Sequence, residues 1–101
     1  MSKKPETVFK ERALKDLATI PGAWFFKTQE VARRGIPDII LCLDGLFIGI
    51  ELKIDGEKLE PLQEYNLMRI EECGGKSFTA YPNNWKQIFG RLKLMVKKRR
   101  N

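Results

Sequence analysis

Residues 36–55 read IPDIILCLDGLFIGIELKID, two apolar runs rich in β-branched residues on either side of Asp44-Gly45. A two-residue Asp-Gly connection with such flanks predicts a type I′ hairpin, because both central residues then need positive φ. If Leu43 and Leu46 close the loop, Cys42 faces Phe47, Leu41 faces Ile48 and Asp38 faces Glu51. Directly opposed side chains of an antiparallel pair lie on one side of the sheet, with Cβ atoms about 4.5–5.5 Å apart. Alternation along the strand adds Lys53 to that side.

Two carboxylates opposed in this way repel each other and destabilise the ladder. A divalent cation between them reverses the sign, since Mg²⁺ is held by one or two protein carboxylates together with water and phosphate oxygens. Lys53 then places an ammonium beside the ligands, where it can hold an attacking water or neutralise charge on a phosphoryl oxygen. The ion itself would polarise a phosphodiester and acidify a bound water.

On the N-terminal side, residues 6–20 carry Phe9, Ala13, Leu17 and Ile20 at helical spacing, with Pro21-Gly22 as the stop. Glu6 falls within the apolar stripe of that helix, so its carboxylate points the way the core face points and can complete the ligand set directly or through water. Ala23 to Lys27 reads as a short strand, and the polar stretch TQEVARRG as a loop. Trp24, Phe25 and Phe26 are read as core or subunit-interface residues rather than platforms for bases.

On the C-terminal side, Pro61 opens a helix, LQEYNLMRIEEC, closed by Gly74-Gly75. Gln63, Leu67 and Ile70 share one face of it, and Gln63 can orient a water or a phosphate. Residues 76–81 read as a strand. Asn84 is placed to cap a last helix from Trp85 through Met95, which runs into a basic, irregular tail, Lys97-Lys98-Arg99-Arg100-Asn101. The order α, β, β, β, α, β, α predicts an α/β domain with a mixed sheet flanked by helices.

The chain has 101 residues, enough for one domain (1–101) with a modest core at 43% hydrophobic residues. Lys and Arg number 19 against 13 Asp and Glu, a net charge of +6 that favours a polyanionic partner, nucleic acid first. With no histidine, His-ligated zinc, Ser-His-Asp catalysis and imidazole bases are excluded. Cys42 and Cys73 read as ordinary thiols. No stretch has the length of a membrane span or the pattern of a signal segment, so a soluble, cytoplasmic protein with no membrane partner is expected.

Pro37-Asp38, twelve intervening residues and then Glu51-Leu52-Lys53 resemble the PD-(D/E)xK nuclease motif. The wider string RRGIPDIILCLDGLFIGIELK followed by LEPLQEYNLMRIEECGG is similar to the virus-type replication-repair nuclease (VRR-NUC) branch, over about residues 6–85. This resemblance implies a restriction-endonuclease-like core and metal binding by Asp38, Glu51 and Glu6. It implies the Leu52 backbone carbonyl as a further ligand, catalysis by Lys53 and a supporting role for Gln63. Glu60 stands before Pro61 where that pattern has a Ser-like cap.

The resemblance further implies a Mg²⁺- or Mn²⁺-dependent DNA endonuclease without an organic cofactor, acting as a homodimer on branched DNA such as a four-way junction. The alternatives are an inactive DNA-binding module on the same fold and flap- or nick-directed cutting. Arg33 and Arg34, together with Lys97, Lys98, Arg99 and Arg100, are the candidate phosphate contacts.

Overall fold

Asp44 and Gly45 both have positive φ, 52° and 84°, the backbone a type I′ turn requires. They join β2 (Ile39–Leu43) to β3 (Leu46–Leu52). In the computed structural model, which describes residues 2–29 and 33–100 and the last four of these by backbone alone, Leu43 pairs with Leu46, Leu41 with Ile48 and Ile39 with Ile50. That is the register the turn predicts. Carried one step past the ladder, it brings Asp38 opposite Glu51.

Around this hairpin stand α1 (Pro5–Leu17), β1 (Ala23–Lys27), α2 (Pro61–Glu72), β4 (Lys76–Ala80) and α3 (Trp85–Arg100), in the predicted order. The sheet runs β1-β2-β3-β4. Its first two pairings are antiparallel, and the last, reached through α2, is parallel. A parallel neighbour needs such a crossover, which a tight turn cannot provide. The molecule is therefore an α/β domain with a mixed four-stranded sheet flanked by helices.

Ile39, Leu41 and Leu43 of β2 and Ile48 and Ile50 of β3 are buried in one cluster with Phe9, Ala13 and Leu17 of α1 and Trp85, Ile88 and Leu92 of α3. Those two helices thus cover one face of the sheet. On the opposite face Ile40 and Phe47 border a groove whose other wall is Tyr65 and Ile70 of α2. The first and last helices are also joined by a polar contact: the fully buried Trp85 donates its indole N–H to Asp16 Oδ2 at 2.8 Å and meets the Phe9 ring edge-on.

Three local expectations need correction. The first helix ends at Leu17, short of Pro21, because Thr19 and Ile20 turn their N–H groups to the Asp16 and Leu17 carbonyls in tighter i to i−3 bonds; Ile20 stays buried all the same. Asn84 precedes α3, but its side chain folds back, accepting from Tyr81 N–H at 2.7 Å and donating to the Thr79 carbonyl. The backbone of residues 97–100 continues α3 instead of forming an irregular tail. Ile88, Leu92 and Val96, spaced by one turn, hold this helix to the core up to that point. No helix among the described residues is long and apolar enough to cross a membrane.

Candidate functional site

Asp38 enters the sheet held from both sides. The Thr28 N–H donates to the Asp38 carbonyl at 2.8 Å and the Thr28 hydroxyl to the Pro37 carbonyl at 2.6 Å. On the other side, Asp38 Oδ2 accepts the Leu52 N–H at 2.8 Å. The first two bonds hold the backbone at Pro37-Asp38, and the third ties the carboxylate to the end of β3. Asp38 Oδ1 carries the lone pairs a cation would use.

Glu51 is 3% exposed. Burying a carboxylate is costly unless it is hydrogen-bonded and paired. Gln63 Nε2 donates to Glu51 Oε2 at 3.1 Å, and Lys53 Nζ stands 3.9 Å from the same oxygen. Lys53 is itself largely covered, its side chain 12% exposed, and its N–H donates to the Ala80 carbonyl at 2.8 Å. β4 thereby anchors the strand end that presents the lysine.

Gln63 is buried and uses both ends of its amide. Oε1 accepts the Glu60 N–H at 2.9 Å, half of a capping box at the start of α2, which leaves Nε2 for Glu51. Glu60, standing where the resembled pattern has a Ser-like cap, thus joins a capping box with Gln63. Beyond the role expected for it at a water or phosphate, Gln63 is turned to Glu51, because helix capping claims its carbonyl oxygen.

Asp38, Glu51 and Lys53 open into one cleft of about 330 Å³, whose lining also includes Glu6, Lys10 and Glu57. Leu52 and Gln63 belong to the same wall. The predicted site residues Glu6, Asp38, Glu51, Leu52, Lys53 and Gln63 are therefore together. Sequence reading missed Lys10 and Glu57. Lys10 was detectable, lying one helical turn beyond Glu6 on the same face. Glu57 was hidden in a turn and is positioned by its Oε1 accepting the Ile54 N–H at 2.9 Å and by its carbonyl accepting the Tyr81 hydroxyl.

No match with known proteins was found, whether family model, curated protein or solved structure. Function is read from the site, not from kinship. Among the described residues no three His, Cys, Asp or Glu side chains form a ready metal-holding group. Glu6, expected as a third carboxylate ligand, lines the cleft but is exposed in the first turn of α1, where the helix dipole also favours an acid. The fixed pair Asp38 and Glu51 still matches the demand of Mg²⁺ or Mn²⁺, hard ions that take one or two protein carboxylates and fill their shell with water and phosphate oxygens. The donor set fits such an ion.

Other predicted residues lie elsewhere. Arg33 and Arg34 are exposed, and Arg33 borders the groove between the sheet and α2 rather than the cleft. The side chains of Lys97, Lys98, Arg99 and Arg100, and Asn101 as a whole, lie outside the described residues. Trp24 and Phe26 are 63% and 45% exposed, so neither is core; only Phe25 packs against it. Strand alternation explains this, since α1 and α3 cover only the face to which Phe25 points.

Proposed function

We propose that this chain is a divalent-metal-dependent nuclease that hydrolyses DNA phosphodiester bonds, on a PD-(D/E)xK core of the virus-type replication-repair branch. One observation carries the reading: Asp38 and Glu51, from adjacent strands, line one cleft with Lys53 Nζ 3.9 Å from Glu51. In this reading Asp38 and Glu51 hold Mg²⁺ or Mn²⁺, with the Leu52 carbonyl and, through water, Glu6 as further ligands. When bound, the ion supplies charge neutralisation at the phosphate and a water acidified for attack.

The remaining work falls to the chain's own groups. Lys53 stabilises charge building on the phosphoryl oxygens, aided by a covered setting in which charges are weakly screened. Gln63 is a positioning residue that keeps Glu51 Oε2 in one orientation. Lys10, at the rim, draws the phosphate backbone in.

The net charge of +6 supports DNA as the partner. Branched DNA is the proposed substrate, cut inside the cell by a homodimer that makes paired incisions at a four-way junction, since two symmetric cuts need two related sites. The test is digestion of labelled four-way junction, flap, nicked and linear duplexes with Mg²⁺ or Mn²⁺. Metal-dependent cutting lost in Asp38→Ala and Lys53→Ala is expected. DNA binding by all three proteins with cutting by none would leave a binding module instead.

A further inference from the structure

The face of the sheet that α2 leaves open carries a row of aromatics. Trp24 pairs with Cys42 and Cys42 with Phe47, while Phe26 pairs with Ile40, so all these side chains lie on one side. Trp24, Phe26 and Phe47 are 63%, 45% and 47% exposed, and the Trp24 and Phe26 rings meet edge to face at 5.4 Å. Beside them runs a groove of about 850 Å³, walled on the far side by Tyr65. Among the described residues its charged lining is Lys27, Arg33 and Arg69; Lys27 pairs with Ile39 and leaves the strand toward the other face, and Arg69 is paired with Glu72 at 2.7 Å. Arg69 is held in its charged form, its pKa raised above an already high value chiefly by its hydrogen bond to Glu72.

Exposed aromatic faces beside the exposed Arg33, on a chain of net charge +6, suit a polyanion with apolar faces of its own, which is unpaired nucleic acid. Neighbouring residues line the two, Pro37 the groove and Asp38 the cleft. We infer that this face binds a single-stranded DNA segment, its bases stacked on Trp24, Phe26 and Phe47 and its phosphates against Arg33, next to the point of cutting. The role rests on the nuclease reading; the binding itself needs no metal.

The probe is an oligothymidylate added to the full chain in EDTA. Trp85 is fully buried and Trp24 exposed, so stacked bases should quench the Trp24 emission, and Trp24→Phe should abolish that signal. Phe26→Ala and Phe47→Ala should each weaken oligothymidylate binding, read by anisotropy, about tenfold, with a far smaller change for blunt duplex. Both rings are exposed, and melting curves check that the variants fold. Equal oligothymidylate affinity in wild type and both variants would overturn the inference. So would sedimentation showing that these variants only dissociate a dimer while affinity holds. Ring-dependent binding by a protein that cuts no DNA would sink the nuclease reading and keep this one; cutting without ring dependence would do the reverse.

Discussion

Gln63 holds Glu51 with the only end of its amide that capping leaves available. Its Oε1 accepts the Glu60 N–H at 2.9 Å, and its Nε2 donates to Glu51 Oε2 at 3.1 Å. A glutamate at this position would keep the cap and set a carboxylate against a carboxylate. Gln63→Glu is therefore expected to cut cleavage at least tenfold while leaving duplex binding intact, with partial recovery at raised Mn²⁺. Gln63→Ala, which removes both bonds, should lower stability by about 1–3 kcal/mol in denaturant melts. Full activity in Gln63→Glu would mean that Glu51 needs no positioning.

Metal binding can be read without any substrate. A ligand that binds only the folded state at a hundredfold its Kd stabilises by about 2.7 kcal/mol. Mn²⁺ should raise the melting temperature of the wild-type chain, and Asp38→Asn or Glu51→Gln should remove most of that gain. EDTA should reverse it. An identical Mn²⁺ shift in Asp38→Asn would place the ion somewhere other than this cleft.

Lys53 separates the roles of ligand and charge clamp. Lys53→Met retains much of the stem packing and removes the ammonium, so the Mn²⁺-induced stabilisation should persist while cleavage falls by about a hundredfold or more, the scale of losing one transition-state charge contact. Breaking a fully buried pair costs about 3–5 kcal/mol. Here the separation of 3.9 Å is at the outer limit of an ion pair and Gln63 still serves Glu51, so the stability cost should be smaller, about 1–2 kcal/mol. Loss of the metal shift in this variant would make Lys53 part of the ligand scaffold.

Gly35 controls how Pro37-Asp38 enters the sheet. Its φ is +78°, and an added Cβ would lie 2.6 Å from Leu62 Cγ. The Gly35 carbonyl accepts from the buried Asn66 amide at 3.0 Å. Gly35→Ala should thus cost about 2–4 kcal/mol, clash added to backbone strain. Gly56→Ala, at φ +87° with nothing near its Cβ, isolates the strain alone at about 1 kcal/mol. Chemical denaturation of both variants measures the difference; equal costs would remove the clash from the account.

How far the site could be read from sequence follows the distance over which each contact acts. The hairpin register depended on two adjacent residues, Asp44 and Gly45, and every pair from Leu43–Leu46 to Ile39–Ile50 followed from them. Glu6 was traceable because helical periodicity is local. The Asn66–Gly35 bond spans two strands and the loop before α2, and no pattern of spacing announces it. Gln63 was placed at the site, but its contact with Glu51 was not legible, because its orientation depends on which end the Glu60 N–H takes. Trp24 and Phe26, expected in the core or at a subunit interface, are not core, because hydrophobicity gives a residue's affinity for cover, not the number of helices available to supply it.

The indole N–H of Trp85 donating to Asp16 also bears on the order of events during synthesis. Asp38, Glu51 and Lys53 leave the ribosome well before the last helix does, whereas the helix carrying Glu6 and Lys10 gains its Trp85 fastening only when that later segment docks. A nascent chain thus possesses its acids and its lysine before α1 has its last partner, and the wall that α1 gives the cleft should reach full rigidity late, when α3 docks.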